Sequence, residues 1–107
     1  MYDAATLSNP SDTIVPLVQI EETRRTFPGA RIEFELLIET GDVLVGLEHS
    51  ARAIRCAGLE LRSLRACADG RLLCRLLDLN SADLKTLSRD LSGPEARIES
   101  WTTTIGA

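Results

Sequence analysis

The chain has 107 residues, a formal net charge of −4, 44% hydrophobic residues and only 4% aromatic residues. This length and composition are typical of one globular domain that can bury a two-layer, mainly aliphatic core. The acidic balance excludes a sequence-nonspecific nucleic-acid binder and a polybasic membrane anchor, because both classes depend on clustered cationic side chains. We therefore expect no nucleic-acid partner and no membrane partner.

The N-terminus and the cysteines bear on the cellular compartment. The chain does not open with a basic region followed by an apolar stretch, so we expect no secretory signal. The three cysteines, Cys56, Cys67 and Cys74, are odd in number and lack Cys-x-x-Cys spacing. This pattern favours reduced thiols in a cytoplasmic protein over a metal site. We expect the three side chains to be buried and inert, and we expect no cofactor.

Residues 1–30 contain several residues that interrupt regular structure, including Pro16 and the pair Pro28-Gly29, and they show no sustained helical period. They predict an N-terminal arm that is partly extended. Within it we expect Thr13–Ile20 to form an edge segment, since Pro16 cannot donate a ladder hydrogen bond in a central strand. Residues 31–107 form the predicted domain.

From Arg31 the hydrophobic period becomes regular. Arg31–Glu39 alternates apolar and charged residues, which predicts a half-buried strand. Asp42 then supplies an N-cap for a helix, which Gly58 ends as a left-handed C-terminal residue. The apolar face of the strand comprises Ile32, Phe34, Leu36 and Ile38.

A hairpin follows this helix. Leu59–Ala68 and Arg71–Leu77 predict two strands, and Asp69-Gly70 between them is a strong signal for a two-residue turn. The hydrophobic pattern changes phase between Leu61 and Leu64, so a β-bulge or a longer loop would shift the pairing of the two strands.

The last part of the chain predicts one more helix and one more strand. Asn80 or Ser81 is expected to cap the helix, and Asp83 completes a pair that resembles a capping box. Ser92-Gly93-Pro94 ends the helix, and Ala96–Trp101 forms the last strand.

The element order is strand, helix, strand, strand, helix, strand, which predicts an α+β fold of the ferredoxin-like βαββαβ type. Right-handed crossovers give a four-stranded antiparallel sheet with both helices on one face. The first strand is then central, between the third and the fourth.

The sheet face opposite the helices is expected to mix leucines with ion pairs. Glu33, Glu35 and Glu39 of the first strand face arginines of the neighbouring strands, among them Arg75 and Arg97. Such a surface is too apolar to remain uncovered, so we expect a partner, or alternatively the N-terminal arm, to cover it. The predicted interface residues are Leu37, Leu64, Leu73, Leu77 and Trp101.

The residues assemble no recognisable catalytic site. The single histidine, His49, lies mid-helix beside Glu48, without a nucleophile or second ligand nearby in sequence. Thr40–Val43 fits neither a phosphate-binding loop nor the Cys-x-x-Cys of heavy-metal-binding domains. The third strand lacks the aromatic residues on which RNA-recognition domains of the same element order stack bases. We expect a protein that is not an enzyme. The alternatives are a structural interaction module without a ligand, or a small enzyme or ligand carrier whose pocket gathers His49, Glu48 or a cysteine.

Two short segments resemble a known family. Residues 36–45, Leu-Leu-Ile-Glu-Thr-Gly-Asp-Val-Leu-Val, resemble the first strand and the acidic-x-Pro-Gly-Val-Leu turn of an ACT domain. Residues 57–64 resemble the Gly-aromatic-Asn-Ile-x-x-Leu entry to the second strand of that family. The resemblance covers residues 31–104. Within the family it is strongest to the small regulatory subunits of acetolactate synthase, which end in a similar threonine run.

The resemblance implies a regulatory domain that forms a homodimer, binds an amino acid at the interface and modulates the catalytic subunit of a metabolic enzyme. It places the ligand at the start of the first helix, where free amides and the helix dipole suit a carboxylate. Asp42 and Glu60 stand where the family has glycine and often asparagine, so a capped helix without a ligand is the alternative. The implied ligand-binding residues are Thr40, Gly41, Asp42, Val43, Gly58 and Glu60.

Overall fold

The computed structural model describes residues 14–79 and 81–106 and places three helices and four strands in them. The fold is α+β, as predicted, with a helix before the first strand that the sequence did not predict. In chain order the elements are α1 (Leu17–Thr26), β1 (Arg31–Thr40), α2 (Val43–Ala57), β2 (Glu60–Ala66), β3 (Arg71–Asp78), α3 (Leu84–Asp90) and β4 (Ala96–Gly106).

The four strands form one antiparallel sheet in the order β2-β3-β1-β4. The central place of β1, between β3 and β4, confirms the prediction. The three helices contribute Ile20, Ile54 and Leu87 to a single core on one face of the sheet, which we call the helix face. The other face is called the open face. The arrangement is compatible with a ferredoxin-like fold, although α1 adds to the predicted order of elements.

The sequence of β1 explains its central position. Ile32, Phe34, Leu36 and Ile38 are each at most 1% exposed and project to the helix face, as their spacing predicted. Burying each of these side chains stabilises the fold by about 2 kcal/mol. The charged residues between them lie on the open face, because successive side chains of a strand alternate.

Both predicted ends of α2 are confirmed. The Asp42 carboxylate accepts hydrogen bonds from the backbone amides of Leu44 and Val45 at 2.9 and 3.1 Å. Gly58 ends the helix in the left-handed conformation with φ of 83°, where a side chain would be strained.

The extended edge segment predicted for Thr13–Ile20 is wrong for the residues that the structure describes. Leu17–Thr26 is helical, with Pro16 at the N-cap position. Proline interrupts a helix interior but suits the start of a helix, where its missing N–H has no intrahelical role. Ile20 is 1% exposed and joins the core, so the described part of the arm packs on the helix face and does not cover the open face.

Helix α3 begins later than predicted. Its N-cap is Asp83, whose side chain accepts a hydrogen bond from the Thr86 amide at 3.1 Å. Ser81 lies two residues before this cap, and Asn80 lies outside the described residues. Asp83 is therefore the cap itself, where the sequence had suggested the third residue of a capping box. Aspartate and serine are both good N-caps, so the choice depends on how α3 meets the sheet.

The hairpin between β2 and β3 has a three-residue loop, not the predicted two-residue turn. The Cys67 amide donates to the Arg71 carbonyl at 2.7 Å, and the Gly70 amide donates to the Cys67 carbonyl at 3.1 Å. Gly70 has φ of 88°, as in a type I turn followed by a left-handed residue. The extra residue places Leu64 opposite Cys74 and thus on the helix face, so its prediction as an open-face residue is wrong.

A β-bulge in β4 changes the face of the tryptophan. Ile98 pairs with Ile38 and Ser100 pairs with Leu37, which leaves Glu99 as the extra residue. Trp101 therefore projects to the helix face, where it is 1% exposed. Its prediction as an open-face interface residue is wrong for this reason.

Candidate functional site

The loop implied as a ligand site connects β1 to α2. The Asp42 carboxylate accepts hydrogen bonds from the backbone amides of Leu44 and Val45, which have no partner within α2. The Thr40 hydroxyl donates to the Gly70 carbonyl and thereby ties the end of β1 to the hairpin loop. A ligand carboxylate at this helix end would have to displace Asp42 from the amides, so the geometry favours a capped helix over an anion site.

The closest approach between α2 and this loop occurs at Gly46. A Cβ atom added there would lie 2.6 Å from the Thr40 Cβ and 3.0 Å from the Glu95 carbonyl oxygen. Only glycine fits without displacing backbone, so Gly46 fixes the distance between α2, the end of β1 and the start of β4.

A cleft of about 460 Å³ opens beside this junction, between the β1–α2 loop and the α3–β4 loop. Arg97 donates to Glu39 at 2.5 Å on the cleft wall, and both side chains are largely exposed. The cleft thus offers one guanidinium and one carboxylate, which neutralise each other. Its lining residues are Glu39, Thr40, Gly41, Ser92, Gly93, Pro94 and Arg97.

The structure separates the six implied ligand-binding residues into two groups. Thr40–Val43 begins α2, whereas Gly58 and Glu60 follow its end. The helix has 15 residues, so the two groups are about 22 Å apart. Thr40 and Gly41 line the cleft, and within one chain Gly58 and Glu60 do not contribute to it.

The residues of the alternative enzyme hypothesis do not converge. His49 Nε2 lies 2.7 Å from the Asp90 carbonyl oxygen and thereby links α2 to the end of α3. Glu48 is exposed and pairs with Arg52 one turn along α2. Among residues 14–79 and 81–106, no group of three or more His, Cys, Asp or Glu side chains is placed to hold a metal ion.

The three cysteines differ in exposure. Cys74 is buried in the core, and burial raises the pKa of its thiol to about 12. Cys67 is partly exposed and Cys56 is exposed on α2. The expectation that all three are buried is therefore wrong for Cys56.

Three of the five predicted interface residues lie on the open face. Leu37 of β1 lies opposite Leu73 of β3. Leu77 of β3 lies opposite Glu33, two open-face residue pairs further along the same two strands. All three leucines are half-buried. Glu35 and Arg75 lie between the Leu37–Leu73 pair and Leu77 on this face. We call the three leucines together the leucine strip.

Ion pairs lie beside and between the residues of the leucine strip. Glu33 binds Arg31 at 2.9 Å and Arg75 at 3.3 Å, and the hydrogen bond from Arg31 is the main cause of a lowered Glu33 pKa. At the other end Arg71 binds Glu99 at 2.6 Å across the sheet. The predicted pairing of β1 glutamates with arginines of the neighbouring strands is confirmed for Glu33 with Arg75 and for Glu39 with Arg97.

One ion pair was not predicted from the sequence. Arg24 of α1 donates two hydrogen bonds, at 2.7 and 2.8 Å, to the fully buried carboxylate of Asp78 on the helix face. Its discovery needed the position of α1, and no spacing rule links residues 54 positions apart. The α3–β4 loop was predicted, but its position beside the β1–α2 loop was not, because that position also depends on tertiary packing.

Comparisons with known proteins return no match: no family model, no curated protein and no solved structure resembles the chain significantly. In the described part of the chain, every helix is too short or too polar to span a lipid bilayer.

Proposed function

We propose that this chain is a non-catalytic, ACT-like regulatory domain that docks on a partner protein through the open face of its sheet. The observation that supports this most directly is the leucine strip. Leu37, Leu73 and Leu77 lie on a face that no described helix covers, while all three helices pack on the other face.

The chemistry of the open face favours a protein partner. Its arginines already bind glutamates of the same chain, for example Arg75 to Glu33 and Arg71 to Glu99, so the surface carries little excess positive charge. A nucleic-acid surface would instead need uncompensated cations. Half-buried leucines interspersed with satisfied ion pairs match the mixed apolar and polar surface of a protein interface.

The resemblance at residues 36–45 and 57–64 selects the partner to be tested first, the catalytic subunit of acetolactate synthase. A domain with no catalytic machinery of its own regulates such an enzyme by binding one of its conformations more tightly than another. The four-stranded antiparallel sheet with helices on one face is compatible with a ferredoxin-like fold and supports this proposal, and a cytoplasmic location stays a prediction.

The test combines binding and activity. The chain is mixed with the purified catalytic subunit, and co-elution together with a changed rate is expected. Leu73→Asp places a charge in the leucine strip and should abolish both effects. Arg52→Asp, on the exposed side of α2, is the matched control and should abolish neither. Absence of co-elution excludes this enzyme as the partner, and binding by the Leu73→Asp variant excludes the open face as the docking surface.

The cleft supports a second candidate function, the binding of an amino acid. Glu39 and Arg97 lie on one wall at ion-pair distance, so the ammonium and carboxylate of a zwitterion can replace the partner of each. We expect leucine, isoleucine or valine to raise the melting temperature of the wild type but not of Arg97→Met. Arg52→Met serves as the control. A panel of these amino acids without any shift in the wild type excludes this function.

A further inference from the structure

The two outer strands of the sheet, β2 and β4, differ in the residues that they carry. Strand β2 has charged side chains at Glu60, Arg62 and Arg65, and charges on an edge strand discourage pairing with another chain. Residues 100–106 of β4, Ser-Trp-Thr-Thr-Thr-Ile-Gly, contain no charged residue and no proline. Five of these seven residues are β-branched or aromatic and favour strands. This half of β4 therefore lacks the usual protection of an edge strand.

The outer edge of β4 is already paired at its beginning. Ser92 forms a single antiparallel bridge with Arg97, and the Ile98 amide donates to the Leu91 carbonyl at 3.0 Å. Residues 100–106 pair with β1 on their inner side, and no other strand of the described chain pairs with them. The α3–β4 loop thus covers only the first residues of this edge. Beyond it, the backbone groups that point away from β1 can pair with an added strand.

A pocket of about 190 Å³ lies where the covered part of this edge ends, between β4, α3 and the residues before α1. Ser88 of α3 is half-buried on its wall. The aliphatic side chains that line the pocket are those of Ile14, Val15, Leu91 and Ile98. An apolar cavity of about 150 Å³ accommodates benzene, so this pocket accommodates a branched aliphatic side chain. The end of an added strand therefore meets an apolar site.

We infer that a partner protein adds an extended, uncharged segment to the outer edge of β4 as a fifth strand and places an aliphatic side chain in this pocket. In this mode of binding, backbone hydrogen bonds supply affinity and the side-chain pocket supplies selectivity. Ser100, Thr102 and Thr104 are exposed on the open face, so hydroxyl side chains of the segment suit that face. Its alternate residues lie on the helix face and are aliphatic.

The other occupant to consider is β4 of a second copy of this chain. Antiparallel pairing that uses all of residues 100–106 is centred on Thr103 and sets Gly106 opposite Ser100. The residues nearest to Ile98 are then Gly106 and Ala107, whose side chains are too small to fill the pocket. A partner segment with an aliphatic residue at this point buries apolar surface that a second copy leaves exposed. The inference uses neither the leucine strip nor the cleft, so it stands independently of the proposed function.

A synthetic peptide tests the inference on the full chain. The probe is Ile-Thr-Val-Thr-Val-Thr-Ile, acetylated and joined to a soluble, fluorescent Gly-Ser tail, with an aliphatic residue at each end so that either strand direction can fill the pocket. We expect saturable binding by fluorescence anisotropy. The same peptide with proline at its central position should bind at least about tenfold more weakly, because proline cannot donate a ladder hydrogen bond. In hydrogen exchange, the amides of residues 100–106 should gain protection with the probe, and those of residues 60–66 should not.

Variants of the chain separate the edge, the pocket and the other surfaces. Thr104→Lys places on β4 the kind of charge that protects an edge strand, and Ser88→Leu fills the pocket. Each should weaken binding of the probe at least about tenfold. Ser63→Lys adds the same charge to the other outer strand, and Leu73→Asp changes the leucine strip. Both controls should bind the probe as the wild type does, and the melting temperature of each variant shows whether it is folded.

Several results would overturn the inference. They are a wild type that does not bind the probe, equal binding of the proline peptide, and undiminished binding by folded Thr104→Lys or Ser88→Leu. Loss of binding in the Ser63→Lys variant would assign the probe to β2 instead. Protection of residues 100–106 that rises with protein concentration in the absence of the probe would assign the edge to a second copy. Binding lost only in the Leu73→Asp variant would place the probe on the leucine strip.

Discussion

The helix face and the open face of the sheet carry the same kinds of contact in opposite surroundings. On the helix face the ion pair of Arg24 with Asp78 lies beneath α1 with its carboxylate fully buried. On the open face the Arg97–Glu39 pair is formed by side chains that are 63% and 47% exposed. Both pairs contain a short, charge-assisted hydrogen bond, at 2.7 and 2.5 Å, although Arg24 makes two such bonds and Arg97 one.

The comparison shows that burial decides what each contact is worth. An exposed ion pair contributes little, because water solvates both charges when the pair breaks. A buried carboxylate cannot be resolvated in place, so removing its partner is costly even if the pair itself adds little net stability. We therefore expect the helix face to determine stability, and the open face to be free for binding.

The largest effect is expected from Trp101, which the bulge at Glu99 moves to the helix face. Its ring lies 4.8 Å from that of Phe34, and its Nε1–H donates to the Thr103 hydroxyl at 2.9 Å. Trp101→Ala should lower the free energy of unfolding by about 4 kcal/mol, measured by urea denaturation. Ser100→Ala, its neighbour on the open face, should change stability by less than about 0.5 kcal/mol. Equal costs for the two variants would mean that the bulge is absent in solution.

Trp101 also shows where prediction from sequence ends. The alternation of β1 predicted its buried face residue by residue, and Asp42 and Gly58 marked both ends of α2, because each of these signals is local. A bulge in β4 carries no comparable signal. It inverts every later side chain in the strand, so one unseen residue was enough to put Trp101 on the wrong face.

The candidate-site residues likewise fall into those that a local sequence pattern predicts and those whose position depends on tertiary packing. The leucines of β1 and β3 could be assigned to the open face from alternation, whereas Leu64 required the length of the hairpin loop. The cleft was not predicted, although two of its lining residues, Thr40 and Gly41, belong to the ligand loop that the resemblance implied. Its β1 side follows from the strand–helix turn, but its Ser92–Pro94 side depends on how the chain returns from α3. Arg24 had no local signal at all, because its role exists only through the packing of α1.

Removing the buried ion pair is the next largest perturbation. Arg24→Met keeps much of the aliphatic volume but withdraws the bidentate donor from the Asp78 carboxylate, and we expect a loss of about 3 kcal/mol. Arg97→Met removes the exposed pair on the other face and should cost less than about 1 kcal/mol. Thermal or urea unfolding of the two variants measures the difference. Similar losses would show that the α1 contact with Asp78 is solvated and contributes no more than a surface pair.

The smallest effect should come from the titration of the open face. The hydrogen bond from Arg31, with a smaller effect of Arg75, holds the pKa of Glu33 below its ordinary value of 4.5 in the folded protein. A lowered folded pKa means that the unfolded chain binds the proton first, so Glu33 contributes stability above about pH 4.5, and this contribution disappears as the pH falls through the lower folded value. Glu33→Gln should therefore be slightly less stable than the wild type at pH 7 and equally stable near pH 3. Urea midpoints across this range measure the difference, and a gap that stays constant with pH would show that the Arg31 and Arg75 contacts do not persist in solution.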